Sequence, residues 1–318
     1  MALQDQIQLW GDKRYYGLKH FIRCNFGCKV WKIPLDAGLS CPNRDGTLGF
    51  DGCIFCSPAG SGDFAVSRGK SIREQISDGI TTIKGKYAIN HFIAYFQAFT
   101  NTYAPADELR RLYEQVLGFD EVVGIAIATR PDCLNSDVLE LLQELNQRTY
   151  LWVELGLQTI HDKTAALIQR RYELPCFEEA LENLKRLGIP VVCHTILGLP
   201  GETSAQMVET ARYLSSRGIS GLKLQLLHVL KGTRLAEMYH QREFDLMSRE
   251  DYVNTLVDCL EVLSPDIVIH RLTGDGPKEL LIGPLWSNDK IRILQDIERE
   301  LKERKSWQGK HCECLTGR

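Results

Sequence analysis

The stretch "CPNRDGTLGFDGCIFC", Cys41 to Cys56, places three cysteines in a segment rich in glycine and aspartate. It directly follows an apolar run, "VWKIPLD" (30–36), and five further runs come after it: "HFIAYFQ" (91–97), "VVGIAIAT" (122–129), "YLWVELGLQ" (150–158), "PVVCHTILG" (190–198) and "GLKLQLLHV" (221–229). Amphipathic segments of helical period lie between them. Ile72, Ile76, Ile80 and Ile83 share a face, with Ser71 and Glu74 as a capping box. Val138, Leu141, Leu142 and Leu145 repeat the pattern, as do Phe177, Ala180, Leu181 and Leu184, with Gly188 as the C-terminal stop. The alternation predicts βα units on a parallel sheet, an α/β fold of the incomplete (β/α)6 barrel or open-sheet kind. Parallel strands present functional residues at their carboxyl ends, so the cysteine loop sits where chemistry is expected.

A chain of 318 residues, 44% hydrophobic and 25% charged, is long enough for a sizeable core. No apolar run approaches the roughly 20 residues that span a bilayer, which predicts no membrane association. The start, "MALQDQIQLWGDKRYYG", lacks the features of a signal peptide, so a reducing, cytoplasmic setting is expected. The eleven cysteines are then thiols or ligands. A net charge of −3 argues against broad adhesion to nucleic acid, yet Lys13, Arg14, Lys19, His20, Arg23, Lys29 and Lys32 form a local basic stretch. The expected organisation is a basic extension over 1–29, a core over 30–235 and a helical extension over 236–318. That last region includes a possible further strand, "DIVIHRL" (266–272), and a charged amphipathic helix, "IRILQDIERELKERK" (291–305).

Three chemistries compete for the cysteine loop. A C-x2-C pair serves redox centres, zinc sites and iron–sulfur clusters alike. The redox reading leaves Cys41 idle. The zinc reading recruits Cys24 and Cys28 to complete four ligands with Cys53 and Cys56, and omits Cys41 again. An iron–sulfur cluster held by three thiolates, with one iron open to a ligand, uses all three. Gly46, Gly49 and Gly52 would let the loop wrap a cube and offer it amide hydrogens, and Phe55 would face the open iron.

Three cysteines after the first strand of such a core, with an aromatic residue just before the third, resemble the radical S-adenosylmethionine (SAM) superfamily. The C-x11-C-x2-C spacing departs from the superfamily's commonest C-x3-C-x2-C and is similar to the branch of the Elongator catalytic subunit and its single-domain bacterial relatives. The stretches "IATRPD" (127–132), "VELGLQTIHDKT" (153–164), "HTILGLPGET" (194–203) and "LHVLKGTRL" (227–235) agree with it, in order and near strand ends. The resemblance implies a four-iron four-sulfur cluster on Cys41, Cys53 and Cys56, with SAM on the fourth iron as the source of a 5′-deoxyadenosyl radical. Many members hold the methionine amine with a Gly-Gly-Glu motif after strand two. This chain has "YFQAFTNT" (95–102) there, which puts Gln97, with Thr100 behind it, in that role. No acetyltransferase domain is expected beside the core, so acetyl-CoA chemistry is not carried over.

Glu154 and Gln158, each two residues from Gly156, point to one side of strand four, and SAM hydroxyls or its amine suit them. Gly198 in "GLPGE" lets backbone approach adenine, and a plain turn explains the same residues. His194 joins the cofactor set. Arg130 is a candidate for binding the SAM carboxylate or a substrate anion, and Lys223, His228 and Lys231 are candidates for meeting the substrate. Cys133 is a candidate hydrogen donor or ligand, Cys259 reads as core, and Cys312 with Cys314 reads as a frayed tail. The relatives imply tRNA, held by its anticodon arm on the basic stretch, as substrate. The reaction implied is conversion of 5-carboxymethylaminomethyl-(2-thio)uridine to 5-aminomethyl-(2-thio)uridine at the wobble position, and the alternative is a radical SAM reaction on another tRNA or small-molecule substrate, such as carbon addition to the same base. Implied partners are an electron donor such as flavodoxin or ferredoxin and a tRNA methyltransferase acting on the product. A zinc-bearing RNA-binding protein without enzyme activity is the remaining reading.

Overall fold

All six apolar runs form strands, and a seventh strand joins them. The computed structural model describes residues 10–60, 69–274 and 276–313. In chain order come α1 (Leu18–Phe26), β1 (Val30–Leu35), α2 (Ile72–Lys84), β2 (His91–Phe96), α3 (Ala106–Glu114), β3 (Val122–Thr129), α4 (Ser136–Arg148), β4 (Tyr150–Gln158), α5 (Asp162–Leu167) and α6 (Leu174–Arg186). There follow β5 (Val191–Leu197), α7 (Ser204–Ser216), β6 (Gly221–Leu226), β7 (Val229–Leu230), α8 (Arg234–His240), α9 (Arg249–Val262), β8 (Val268–Arg271), β9 (Leu281–Gly283) and α10 (Lys290–Glu303). The seven-stranded sheet has the order β1-β2-β3-β4-β5-β6-β8, with β1 and β8 as its edges. The segment 266–272, read as a possible further strand, supplies β8, parallel to β6. The run 221–229 is shorter as a strand than its apolar length suggests. After the Leu227 N–H bonds the Leu197 carbonyl, at 2.9 Å, the chain turns into β7, which pairs antiparallel with β9.

The chain divides into two compact units. One comprises Ile22–Gly156 and Arg171–Val191 and contains β1 to β3 and most of β4. Its strands are parallel and nearly in register. The capping box opens α2 as expected: Ser71 Oγ accepts from the Glu74 amide and Glu74 Oε2 accepts from the Ser71 amide. One face of this sheet buries Ile33, Leu35, Phe92, Phe96, Ile125, Ile127 and Val153. The other face carries Lys32, Pro34, Tyr95, Trp152 and Glu154 around a stripe of small residues on β3, Gly124, Ala126 and Ala128. Because β3 is small there, side chains of β2 and β4 can meet across it.

The other unit comprises the chain up to Phe21, Leu157–Arg170 and the chain from Val192 onward. Residues Lys13 and Tyr16 anchor the segment before α1. Ile269 donates its N–H to the Tyr16 carbonyl at 2.7 Å, and Lys13 pairs with Glu298 of α10 at 2.7 Å. Helix α10 is amphipathic as expected, with Ile293, Ile297 and Leu301 buried. Cys259 is fully buried in α9, as its helical spacing implied. Cys312 departs from the frayed-tail reading: it is buried beside Ser215, because Gly309 and His311 bond the Leu260 and Glu261 carbonyls. Cys314 lies outside the described residues. Among the described residues no helix is long and apolar enough to cross a membrane.

Candidate active site

The eleven residues between Cys41 and Cys53 close on themselves. Arg44 N–H bonds the Cys41 carbonyl at 2.7 Å, Leu48 N–H the Pro42 carbonyl at 2.7 Å and Gly52 N–H the Asn43 carbonyl at 2.8 Å. The residue before Cys53 is thereby held to the second residue after Cys41, so a long gap in sequence is a short one in space. Gly52 has φ +76°, a backbone conformation that favours glycine, and a Cβ there would lie 2.9 Å from Arg44 Nε. The amides of Gly46 and Gly52 donate to the Gly49 and Asn43 carbonyls, so they close the loop rather than face a cluster as the sequence suggested. Arg44 clamps the far side, its Nη2 donating to the Cys56 and Ser57 carbonyls at 3.0 and 2.7 Å.

Burial, then the neighbouring Cys56 and Cys41, push the Cys53 thiol up to about 12, while Arg130 pulls it down. Asn43 Nδ2 lies 3.5 Å from Cys53 Sγ and donates toward it. The three thiols are neighbours without converging on a point: among the described residues no three His, Cys, Asp or Glu gather as ligands of one ion. The all-sulfur donor set fits iron. The zinc scheme fails on distance. Cys28 precedes β1 and Cys53 follows it, with six residues of strand, roughly 20 Å, between the pairs. Cys28 Sγ instead lies 3.4 Å from His91 Nδ1. Phe55 is half-buried between the paired cysteines.

Glu154 is 1% exposed, and protein donors surround its carboxylate. Tyr95 OH donates to Oε2 at 2.7 Å, Trp152 Nε1 to Oε1 at 3.0 Å, and Lys32 Nζ lies 3.4 Å from Oε1. Lys32 was expected on the basic stretch and meets Glu154 instead, and Tyr95 and Trp152 were not foreseen; only the Trp152–Glu154 spacing on one strand hinted at a shared face. Arg130 is buried and forked onto Asp132, Nε–Oδ1 2.9 Å and Nη2–Oδ2 2.6 Å, with its guanidinium 5.0 Å from the Tyr172 ring centre. Burial works to lower the Arg130 pKa, but the hydrogen bond and charge of Asp132 outweigh it and hold it above its ordinary value. Cys133, half-buried beside Asp132, has its thiol pushed up, first by burial and then by that carboxylate. Gln97 follows β2 on the face of Tyr95, and Thr100 behind it is buried, its N–H on the Ser40 carbonyl at 3.2 Å.

In the other unit, His194 of β5 and Lys223 of β6 are register partners, and Arg271 of β8 pairs with Lys223 after an irregularity in the β6–β8 register. Lys223 is 3% exposed, and Gln225 Nε2 lies 3.5 Å from His194 Nδ1. Arg271 was not foreseen, since β8 itself was only a possible strand. Gln158 is a non-glycine residue at φ +69°, and its buried Oε1 has no hydrogen-bond partner among the described residues. Gly198 has φ +88° and packs against Met247, and its N–H points at Met207 Sδ, 3.3 Å away. Glu202 accepts from Thr159 Oγ1 at 2.5 Å, and burial raises its pKa against the pull of Thr159 and His161. His228 lies against Gly274 and Gly276. Lys231 is exposed, its Nζ 3.0 Å from the Glu279 carbonyl.

Residues 41–214, beginning at Cys41 itself, match the family described as the Radical SAM superfamily, and residues 219–303 match the Radical_SAM C-terminal domain. The Bacillus subtilis protein YtqA is 50% identical over 299 residues, covering 94% of this chain and 93% of that protein. A tRNA uridine(34) acetyltransferase of Dehalococcoides mccartyi is 26% identical over 204 residues, 62% of this chain and 41% of the relative. Among solved structures, Elp3 of Methanocaldococcus infernus is similar in fold, with a TM-score of 0.66 at 15% identity over 88% of this chain and 64% of that one.

Proposed function

We propose that this chain, which belongs to the Radical SAM superfamily, acts on the C5 substituent of the tRNA wobble uridine and converts 5-carboxymethylaminomethyl-(2-thio)uridine to 5-aminomethyl-(2-thio)uridine. The superfamily's cofactors are a four-iron four-sulfur cluster and SAM. The observation that carries the choice of substrate is the buried Lys223 beside its register partner His194, because a buried lysine favours an anion such as a carboxylate. Kinship with a protein named for tRNA uridine(34) supports the base.

Cys41, Cys53 and Cys56 are the residues to hold the cluster, with Asn43 donating toward the Cys53 sulfur and Arg44 holding the loop around them. When bound, the cluster and SAM supply a carbon radical that removes one hydrogen atom, consuming one electron, the number the substrate gives back on becoming an imine. Gln97 and Phe55 flank the loop as SAM contacts in one unit. In the other unit, the orphaned Gln158 Oε1 is an acceptor ready for a hydroxyl or amine. Lys223 grips the carboxylate and orients the methylene between it and the amine, whose hydrogen is the weakest on the side chain. Water then divides the imine into the aminomethyl base and glyoxylate.

The test is nucleoside analysis of tRNA carrying the carboxymethylaminomethyl group after anaerobic incubation with reconstituted enzyme, SAM and reductant. Aminomethyluridine with one 5′-deoxyadenosine per turnover supports the reading. Unchanged tRNA, with 5′-deoxyadenosine formed on another substrate, refutes it. Lys223→Met is expected to keep its iron and lose product.

A further inference from the structure

Two exposed aromatic residues sit together at the opposite end of β1 from the cysteine loop. Trp31, the second residue of β1, is 43% exposed, and Tyr87, in the turn after α2, is 51% exposed. Their rings are stacked, with centroids 5.1 Å apart and planes 18° from parallel. The exposure has a geometric cause. Ile33 and Leu35 share Trp31's face of the strand and are fully buried, Ile33 against α2 at Gly79. A crossover helix runs antiparallel to its strands, so α2 ends, at Lys84, near the start of β1, and Trp31 lies beyond its cover.

The surroundings of the pair are cationic. The segments "RCNFGCKVWK" (23–32) and "KGKYAINH" (84–91) contain no acidic residue, and Arg23, Lys29 and Lys86 are exposed. The Cys28–His91 contact joins the two segments, and Lys84 is paired with Glu121 at 3.2 Å. Exposed aromatic faces on segments that carry exposed cations match RNA, whose splayed bases stack while phosphates meet lysine and arginine. An apolar protein partner would leave those cations without counter-charges.

We propose that Trp31 and Tyr87, with Arg23, Lys29 and Lys86, form an RNA-binding platform on which an unpaired base of the substrate tRNA stacks. The proposal rests on the tRNA reading above. Trp31 is separated from the carboxyl end of β1 by four residues, about 13 Å of strand, so the platform acts on binding rather than on the chemical step.

The experiment titrates cluster-loaded enzyme with tRNA bearing 5-carboxymethylaminomethyluridine, following affinity by filter binding and turnover by nucleoside analysis. Trp31→Ala combined with Tyr87→Ala is expected to weaken binding by about tenfold or more and raise KM in parallel, with kcat unchanged, while Trp31→Phe stays near wild type. Lys29→Gln with Lys86→Gln should reduce the slope of log affinity against log salt by about one to two. Iron content equal to wild type shows that each variant folds, and the lysine pair tests the platform should the aromatic pair fail that check. Unchanged affinity in both double variants overturns the platform and leaves the tRNA reading standing. Absence of tRNA binding by the wild type overturns both. A change of oligomeric state in the aromatic variant without a change in tRNA affinity assigns the surface to a second copy of the chain and overturns the proposal.

Discussion

Lys32→Met probes the buried carboxylate of Glu154 most directly. The Glu154 side chain is fully shielded from solvent, whereas Lys32 keeps 22% of its own exposure, and they meet at 3.4 Å. At an effective dielectric of about 20, two unit charges at that distance attract by about 5 kcal/mol, much of which offsets the loss of hydration. Removing the cation leaves a buried anion on two neutral donors, Tyr95 and Trp152. Breaking one side of a buried pair costs about 3–5 kcal/mol, and the partial exposure of Lys32 favours the low end, about 3 kcal/mol. The methionine also gives up the ammonium's approach to the Tyr95 and Trp152 rings, at 5.1 and 4.8 Å. Glu154→Gln keeps an acceptor for both donors and removes the charge, so it should cost about 1–2 kcal/mol. In the double variant no buried charge is left uncompensated, and its loss should fall below the sum of the singles by about 2 kcal/mol. Urea unfolding of all four proteins, compared at constant slope, measures this. Additivity of the two substitutions to within about 0.5 kcal/mol would refute the coupling and with it the account of how Glu154 is held.

Cys53→Ala should abolish the brown colour and iron content after anaerobic reconstitution while leaving secondary structure intact, and full iron retention would remove Cys53 from the ligand set. Gly60 has φ +57°, and a Cβ there would lie 2.3 Å from the Phe99 ring, so Gly60→Ala should loosen the chain just after Cys56 and lower iron retention, read by metal analysis. Glu202 has its pKa raised in the fold, mainly by burial, so the folded state holds this proton more tightly than the unfolded state does. Its contribution therefore grows as pH falls from the folded toward the unfolded pKa and is lost as pH rises through the folded value. Glu202→Gln should flatten that part of the urea midpoint's pH profile, and an unchanged profile would count against the burial effect.

The α/β class was readable because strand and helix periods differ and this chain keeps them apart. The runs 122–129 and 150–158 coincide with β3 and β4, and the Ser71–Glu74 box opens α2. β8 was harder to read, because its four residues carry His270 and Arg271 at one end and their place depends on a partner, β6, more than forty residues away. The anchoring of Cys312 was equally out of reach, since it depends on carbonyls of α9.

What the sequence determined by itself was local: which segments are strands, that three cysteines and Phe55 stand at a strand exit, and that the spacing between those cysteines is unusual. Tertiary structure alone decided who meets whom. It folded the eleven-residue gap so that Gly52 meets Asn43, and joined Lys32, Tyr95 and Trp152 around Glu154 across the small residues of β3. It also made His194 and Lys223 register partners, and brought Arg271 to Lys223 through an irregularity in the β6–β8 pairing. Periodicity reports the face on which a side chain stands. The partner on that face is set by strand register and loop closure, which depend on contacts between residues far apart in the chain.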